Sequence, residues 1–149
     1  MIRFPEHNPV FTYSHTLRSR YGETDKMGYV YYGRYLDYFE ASRTEMIREL
    51  GLPYKKMEEE GIMLPVVDAA LEYKSPIYYD EIVEVKVFIY ELPLVRLYTY
   101  YKVFTDRSEQ PHVLGKVTLA FSDAETRRPC RAPENFLNRL KRTNDPNEV

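Results

Sequence analysis

The sequence has one cysteine, Cys130, and no tryptophan. One thiol cannot form an intrachain disulfide, so the fold must hold by burial alone, and a reducing compartment is expected. The first residues, MIRFPEHNPVF, contain no apolar run, which adds to the expectation of a cytoplasmic protein. No stretch approaches the ~20 apolar residues of a membrane span. The net charge is −2, too little positive charge for a duplex-binding surface, so no nucleic-acid partner is expected.

Several kinds of chemistry are also missing their signatures. G-x-S-x-G, the P-loop, the dinucleotide fingerprint and C-x-x-C do not occur. His7, His15 and His112 lack zinc-ligand spacing, and H-E-x-x-H is absent, so no metal is expected. Cys130 sits between Pro129 and Arg131 in a turn and does not read as a nucleophile.

What the chain does have is tyrosine, 15 of them in 149 residues. Tyrosine suits half-buried strands and pockets, with an apolar body and a polar tip. The length suggests one domain spanning 1–149, with an extended arm over 1–11 and a loose polar tail over 142–149. Thr12 to Tyr21 alternates as a half-buried strand, with Tyr13, His15 and Leu17 on one face. Gly33 to Leu50 reads as a helix, with Leu36, Phe39, Arg43, Ile47 and Leu50 at steps of three and four. Glu40 is spaced to pair with Arg43. A short helix follows Pro53. Four further strands are expected: Leu64–Lys74, a strand carrying Val83, Val85, Val87 and Ile89, Leu94–Thr105, and His112–Asp123. The segment DRSEQP reads as a longer hairpin loop. Pro133–Lys141 reads as a last helix. Successive strands around one long helix give an α+β domain with an antiparallel sheet.

Two features between Arg20 and Arg34 bear on chemistry. Asp25 lies in a loop that turns apolar and aromatic within a few residues. It reads either as a turn residue or as a carboxylate held against an apolar wall. The helix start, Tyr31-Tyr32-Gly33-Arg34, offers no Ser, Thr, Asp or Asn cap, so its first N–H groups are free for water, an anion or a polarised carbonyl. A carboxylate beside such donors can run acyl transfer, by activating water or by attacking the carbonyl.

The stretch Y-x-E-T-D-x-M-G-x-V-Y-Y-x-x-Y-L-x-Y-F-E, Tyr21 to Glu40, resembles the active-site loop and central helix of hotdog-fold acyl-CoA thioesterases of the 4-hydroxybenzoyl-CoA thioesterase type. Tyr73-x-x-Pro76-x-x-x-Asp80-x-Ile82 and the exit Arg127-Arg128-Pro129 are similar to further patterns of that family. The resemblance implies a curved antiparallel sheet wrapped around the long helix, and a homodimer or homotetramer with its sites at subunit junctions. It implies hydrolysis of an acyl-CoA with no cofactor, since coenzyme A is part of the substrate. Acyl carrier protein is an alternative carrier, and a hotdog dehydratase or a non-catalytic acyl-thioester-binding protein is an alternative function. Asp25 takes the place of the family's catalytic acid. Tyr32 stands where many bacterial members carry histidine. Tyrosine is a poor base at neutral pH, which leaves Asp25 as the obvious one. Gly28 belongs to the loop motif, and Gly33 and Arg34 to the helix start. Tyr31, Tyr35, Phe39 and Tyr73 are candidate walls for an apolar or aromatic acyl group. Arg127 and Arg128 are candidates for the coenzyme's phosphates.

Overall fold

The computed structural model describes residues 1–143. Strand β1 (Phe11–Arg18) leads through a short 3₁₀ turn to helix α1 (Arg34–Glu49) and then α2 (Tyr54–Glu59). Strands β2 (Ile62–Met63), β3 (Val66–Tyr73), β4 (Ile82–Ile89), β5 (Arg96–Thr105), β6 (Ser108–Ala120) and β7 (Ser122–Asp123) follow, and α3 (Glu134–Thr143) closes the described chain. Five strands form one antiparallel sheet in the order β1-β4-β5-β6-β3, while β2 and β7 pair in a small ribbon.

The period-two pattern sets the sheet's inner face. Val83, Val85, Val87 and Ile89 of β4 are all buried, and across the ladder Val85 meets Val103 and Val87 meets Tyr101. Helix α1 lies on this face. It buries Tyr35, Tyr38, Phe39, Ser42, Arg43, Met46 and Ile47, a stripe at helical spacing. Leu36, expected in that stripe, is exposed in the first turn. Ser42 Oγ donates to Val85 O at 3.2 Å and ties the helix to β4.

Phe39 sets how closely helix and sheet approach. Its ring stacks on Tyr101 at 4.2 Å between centroids and lies over Gly115, where a Cβ would stand 2.3 Å from Cε2. Only a bare backbone leaves room for the ring.

Arg43 is buried and does not pair with Glu40, which is exposed. Its Nη1 donates to Tyr101 Oη at 3.0 Å. Thr99 Oγ1 lies 2.7 Å from the same phenol and donates to Val117 O at 2.8 Å. Thr99 has one proton, spent on Val117, so the phenol donates to Thr99 and accepts from Arg43. The guanidinium is thus carried by a chain of neutral groups, and this cross-sheet contact prevails over the local i, i+3 ion pair.

The arm, residues 1–10, lies on the sheet's outer face. Val10 N–H donates to Ile89 O at 2.7 Å. Phe4 packs against Phe88, Tyr90 and Tyr100, with Lys102 Nζ 5.0 Å from its ring centroid. Ile2 N–H reaches Glu72 of β3. The arm therefore crosses the sheet from the β1 side to the β3 side.

Two further expectations need correction. The β5–β6 connection is a tight turn at Asp106–Arg107, with Thr105 paired to Ser108, because β6 begins inside the polar run that read as loop. Arg142 and Thr143 end α3, and the rest of the expected tail, 144–149, lies outside the described residues. Replacing Gly115 with Ala is expected to destabilise the fold by about 1–3 kcal/mol, an overpacking cost. Denaturant unfolding of the two proteins measures it, and an unchanged midpoint would mean that the ring is not held against this backbone.

Candidate active site

The loop from Ser19 to Gly33 is built by its own polar atoms. Glu23 is buried; its Oε1 accepts Arg20 N–H at 2.7 Å and Tyr38 Oη–H at 3.0 Å. This side chain pins the 3₁₀ turn to α1. Burial, followed by the Glu23 carboxylate, pushes the Tyr38 phenol far up, so Tyr38 serves as a neutral donor. Tyr31 N–H donates to Glu23 O and Val30 N–H to Ile77 O, both at 2.8 Å, so the loop is strapped to the segment leading into β4.

Asp25 sits at the apex. Its Oδ1 accepts the N–H groups of Met27 at 2.9 Å and Tyr29 at 3.2 Å. Its own N–H donates to Tyr29 O at 2.8 Å. Gly28, inside this turn, has φ +81°, a conformation that costs a residue with a Cβ. Among the described residues Oδ2 has no partner. One carboxylate oxygen thus fixes the turn, and the other is unpaired among the described residues. The turn-residue reading of Asp25 is met by Oδ1, and Oδ2 is the oxygen on which a chemical role would have to rest.

The carboxylate borders a cleft of about 360 Å³. Met27, Tyr29, Val30, Tyr32 and Tyr35 line it from the loop and helix, and Tyr73, Lys74, Ser75 and Pro76 from the end of β3 onward. Tyr73 Oη donates to Tyr32 O at 3.0 Å, and the ring of Tyr73 lies 5.8 Å from that of Tyr35. Burial pushes the Tyr35 phenol up to about 12 and raises that of Tyr73. These walls are therefore neutral and aromatic at physiological pH.

Helix α1 opens at the same cleft without a side-chain cap, as the sequence suggests. Arg34 N–H is taken by Tyr31 O at 2.9 Å, so it is not a free donor. The N–H groups of Tyr32 and Gly33 have no acceptor among the described residues. They are the donors an oxyanion could use.

The other site expectations separate. Tyr31 does not line the cleft, but its ring packs on Tyr32 at 4.4 Å. Arg34 pairs with Asp37 at 3.3 Å on the surface. Phe39 is fully buried against Gly115 and is core, not wall. Arg127 and Arg128 follow β7, whereas the cleft meets β6 at its opposite end, where Tyr73 pairs with Val113. From Val113 to Leu119 alone is about 20 Å at 3.3 Å per residue. Within one chain the two arginines do not reach the cleft.

One pair, a cleft-lining serine and the buried histidine behind it, carries no local sequence signal. Ser75 Oγ lies 2.7 Å from Nδ1 of His112, which is buried in β6, and His112 Nε2 lies 2.7 Å from Thr105 Oγ1. The N–H groups of Lys74 and Ser75 both donate to His112 O, at 2.8 and 3.1 Å. Thirty-seven residues separate the two side chains, and only the β3–β6 pairing unites them. Among the described residues no three His, Cys, Asp or Glu side chains converge as metal ligands would.

A mixed α+β chain with this loop, helix and cleft can be compared with known proteins. The profile of the thioesterase-like superfamily matches residues 19–140. The chain belongs to this family. Its fold is the hotdog, an antiparallel sheet packed on a long helix. The Bacillus subtilis protein YneP is 46% identical over 70 residues, which cover 47% of this chain and 51% of YneP, so the match spans about half of that relative. A Haemophilus influenzae protein named acyl-CoA thioesterase YbgC is 32% identical over 81 residues, 54% of this chain and 60% of YbgC. Among solved structures, a DHNA-CoA thioesterase from Staphylococcus aureus superposes with a TM-score of 0.75 at 35% identity, covering 80% of each chain.

The turn around Asp25 gives the site's first prediction. Gly28→Ala meets no neighbour within 4 Å, so any effect arises from the backbone alone. It is expected to cost about 1–2 kcal/mol through its positive φ and to impair the site more than the core. Thermal melts beside turnover numbers check this, and a variant with unchanged turnover would show that the turn need not hold Asp25.

Proposed function

We propose that this thioesterase-family protein hydrolyses an acyl-CoA to the free acid and coenzyme A. The observation that carries the reading is the Asp25 carboxylate, with Oδ1 pinned by two N–H groups and Oδ2 open, in an aromatic cleft at an uncapped helix start. Asp25 acts on the thioester as a general base toward water or as the attacking nucleophile. The N–H groups of Tyr32 and Gly33 polarise the carbonyl, helped by the helix dipole. Tyr32 lines the cleft as a hydrogen-bonding group, and Tyr29, Tyr35 and Tyr73 receive an apolar or aromatic acyl tail. The names of YbgC and of the S. aureus thioesterase support CoA as the carrier over acyl carrier protein. A single cysteine, unable to form an intrachain disulfide, supports a cytoplasmic setting, and no helix of the described chain is long and apolar enough to cross a membrane.

Asn at position 25 keeps an Oδ1 for both N–H groups and so keeps the turn. It removes only the basic oxygen. Asp25→Asn is expected to lower kcat at least about 10²-fold, within the range of a general base, with the melting temperature nearly unchanged. Tyr32→Phe is expected to cost about tenfold, the size of one hydrogen bond. Rates on short-, medium-, long-chain and aromatic acyl-CoAs decide it, since wild-type turnover in a folded Asp25→Asn variant would end the proposal.

The same reading includes a homodimer. Strand β3 is a sheet edge bearing Val66, Val67, Ala69 and Ala70, all exposed. The other edge, β1, exposes the polar Thr12, Ser14, Thr16 and Arg18. If β3 pairs antiparallel with its copy, Val66 of one subunit lies toward Tyr73 of the other. That arrangement carries a second chain's Arg127 and Arg128 toward this cleft, where they can meet the phosphates. A homotetramer built on the sheet's outer face would have to pack on the arm or displace it. Sedimentation at micromolar concentration is expected to show a dimer, and a monomer there would remove the shared site.

A further inference from the structure

The Ser75–His112–Thr105 chain has a direction that hydrogen-bond accounting fixes. Thr105 is buried, and its Oγ1 receives Arg107 N–H at 3.4 Å. The threonine proton has His112 Nε2, at 2.7 Å, as its acceptor among the described residues. If Nε2 carried the imidazole proton, the Thr105 hydroxyl would be a buried donor with no acceptor, an unfavourable state that folded proteins rarely hold. With Nε2 accepting, the proton of neutral His112 resides on Nδ1 and is donated to Ser75 Oγ. Burial, and then the Arg107 guanidinium, lower the His112 pKa, opposed by Glu81, so the ring is neutral at physiological pH. Every polar atom in the chain is then spent except one. The Ser75 hydroxyl proton is left over, and Ser75 is exposed in the cleft that Asp25 borders.

We propose that Ser75 is a catalytic residue, its Oγ–H donating to the thioester oxygen as negative charge develops there, with His112 and Thr105 as the positioning residues that aim it. The inference rests on the thioesterase reading above. As water, giving its proton to Asp25, or Asp25 itself adds to the carbonyl carbon, the C=O electron pair moves to oxygen, and Ser75 Oγ–H and the N–H groups of Tyr32 and Gly33 donate hydrogen bonds to it. No bond to Ser75 forms; the pair returns when the C–S bond breaks and the coenzyme thiolate leaves, and where Asp25 attacked, water then cleaves the mixed anhydride to the free acid and the Asp25 carboxylate. The donor is preorganised because the backbone N–H groups of Lys74 and Ser75 are themselves held by His112 O.

Three measurements test this. Ser75→Ala is expected to keep the fold and KM and to lower kcat about 10²-fold, the loss of one oxyanion donor, with a small drop in melting temperature because His112 Nδ1–H loses its protein acceptor. Thr105→Val removes the group that sets the tautomer, and is expected to lower kcat several-fold beyond any change in stability. Nitrogen-15 NMR of the resting protein is expected to show His112 protonated on Nδ1. A proton on Nε2, or wild-type kcat in Ser75→Ala, overturns the assignment. Acyl-CoA turnover by the wild type and its loss in Asp25→Asn, run alongside, separate the two readings. If both hold while Ser75→Ala is silent, only the role of Ser75 fails; if the wild type hydrolyses no thioester, both fail.

Discussion

The contact of Phe39 with Gly115 and Tyr101 is the constraint on which the rest of the structure depends. A phenyl ring laid on bare backbone brings α1 close to β5 and β6. From that approach follow the Ser42 bond to β4 and the reach of Arg43 to Tyr101. Tyr101 serves twice, as the stacking partner of Phe39 and as the acceptor for a buried guanidinium. The charge is tolerated because its hydrogen bonds run on to a backbone carbonyl through Thr99. Helix position in turn fixes Tyr38, which holds Glu23, which holds the turn carrying Asp25. Core packing and the geometry of the cleft are links of one chain.

The fold was legible where a period repeats. The alternating valines of β4 announce one buried face, and the helix declares itself by its apolar spacing. The uncapped helix start was legible too, because capping depends on residue types within four positions. The β5–β6 turn was not, since polar residues continue into the first residues of β6. Spacing could not tell Phe39 the core residue from Phe39 the pocket wall: both need an apolar side chain on that face of α1, and only Gly115 decides between them. Arg43 looked available to Glu40 because a helix places them three apart; nothing local reveals a phenol arriving from β5.

The site divides along the same line. Asp25 stood out because its neighbours along the chain are unusual. Tyr35 and Tyr73 could be proposed as walls from their place in family-like motifs. Ser75 and His112 are each ordinary in their own surroundings. Their meeting is a property of β3 lying beside β6, a long-range pairing that leaves no trace in a short window. Arg127 and Arg128 show the converse. A dense basic cluster is easy to notice, but its place depends on the course of a 13-residue strand that separates it from the cleft.

The arm across the sheet's outer face has a consequence for how copies of the molecule can meet. A bare sheet offers neighbours two directions of growth, sideways by pairing and vertically by stacking. Here Phe4 fills the aromatic hollow between Phe88, Tyr90 and Tyr100, so a copy stacking on this face would meet the arm rather than the bare sheet. The sideways route is left at β3, where the exposed side chains are small and mostly apolar. Antiparallel self-pairing of the β3 edge would use that edge up and leave only the polar β1 edges for further pairing. The arm thus narrows the surface on which copies could stack, using residues that take no part in the cleft.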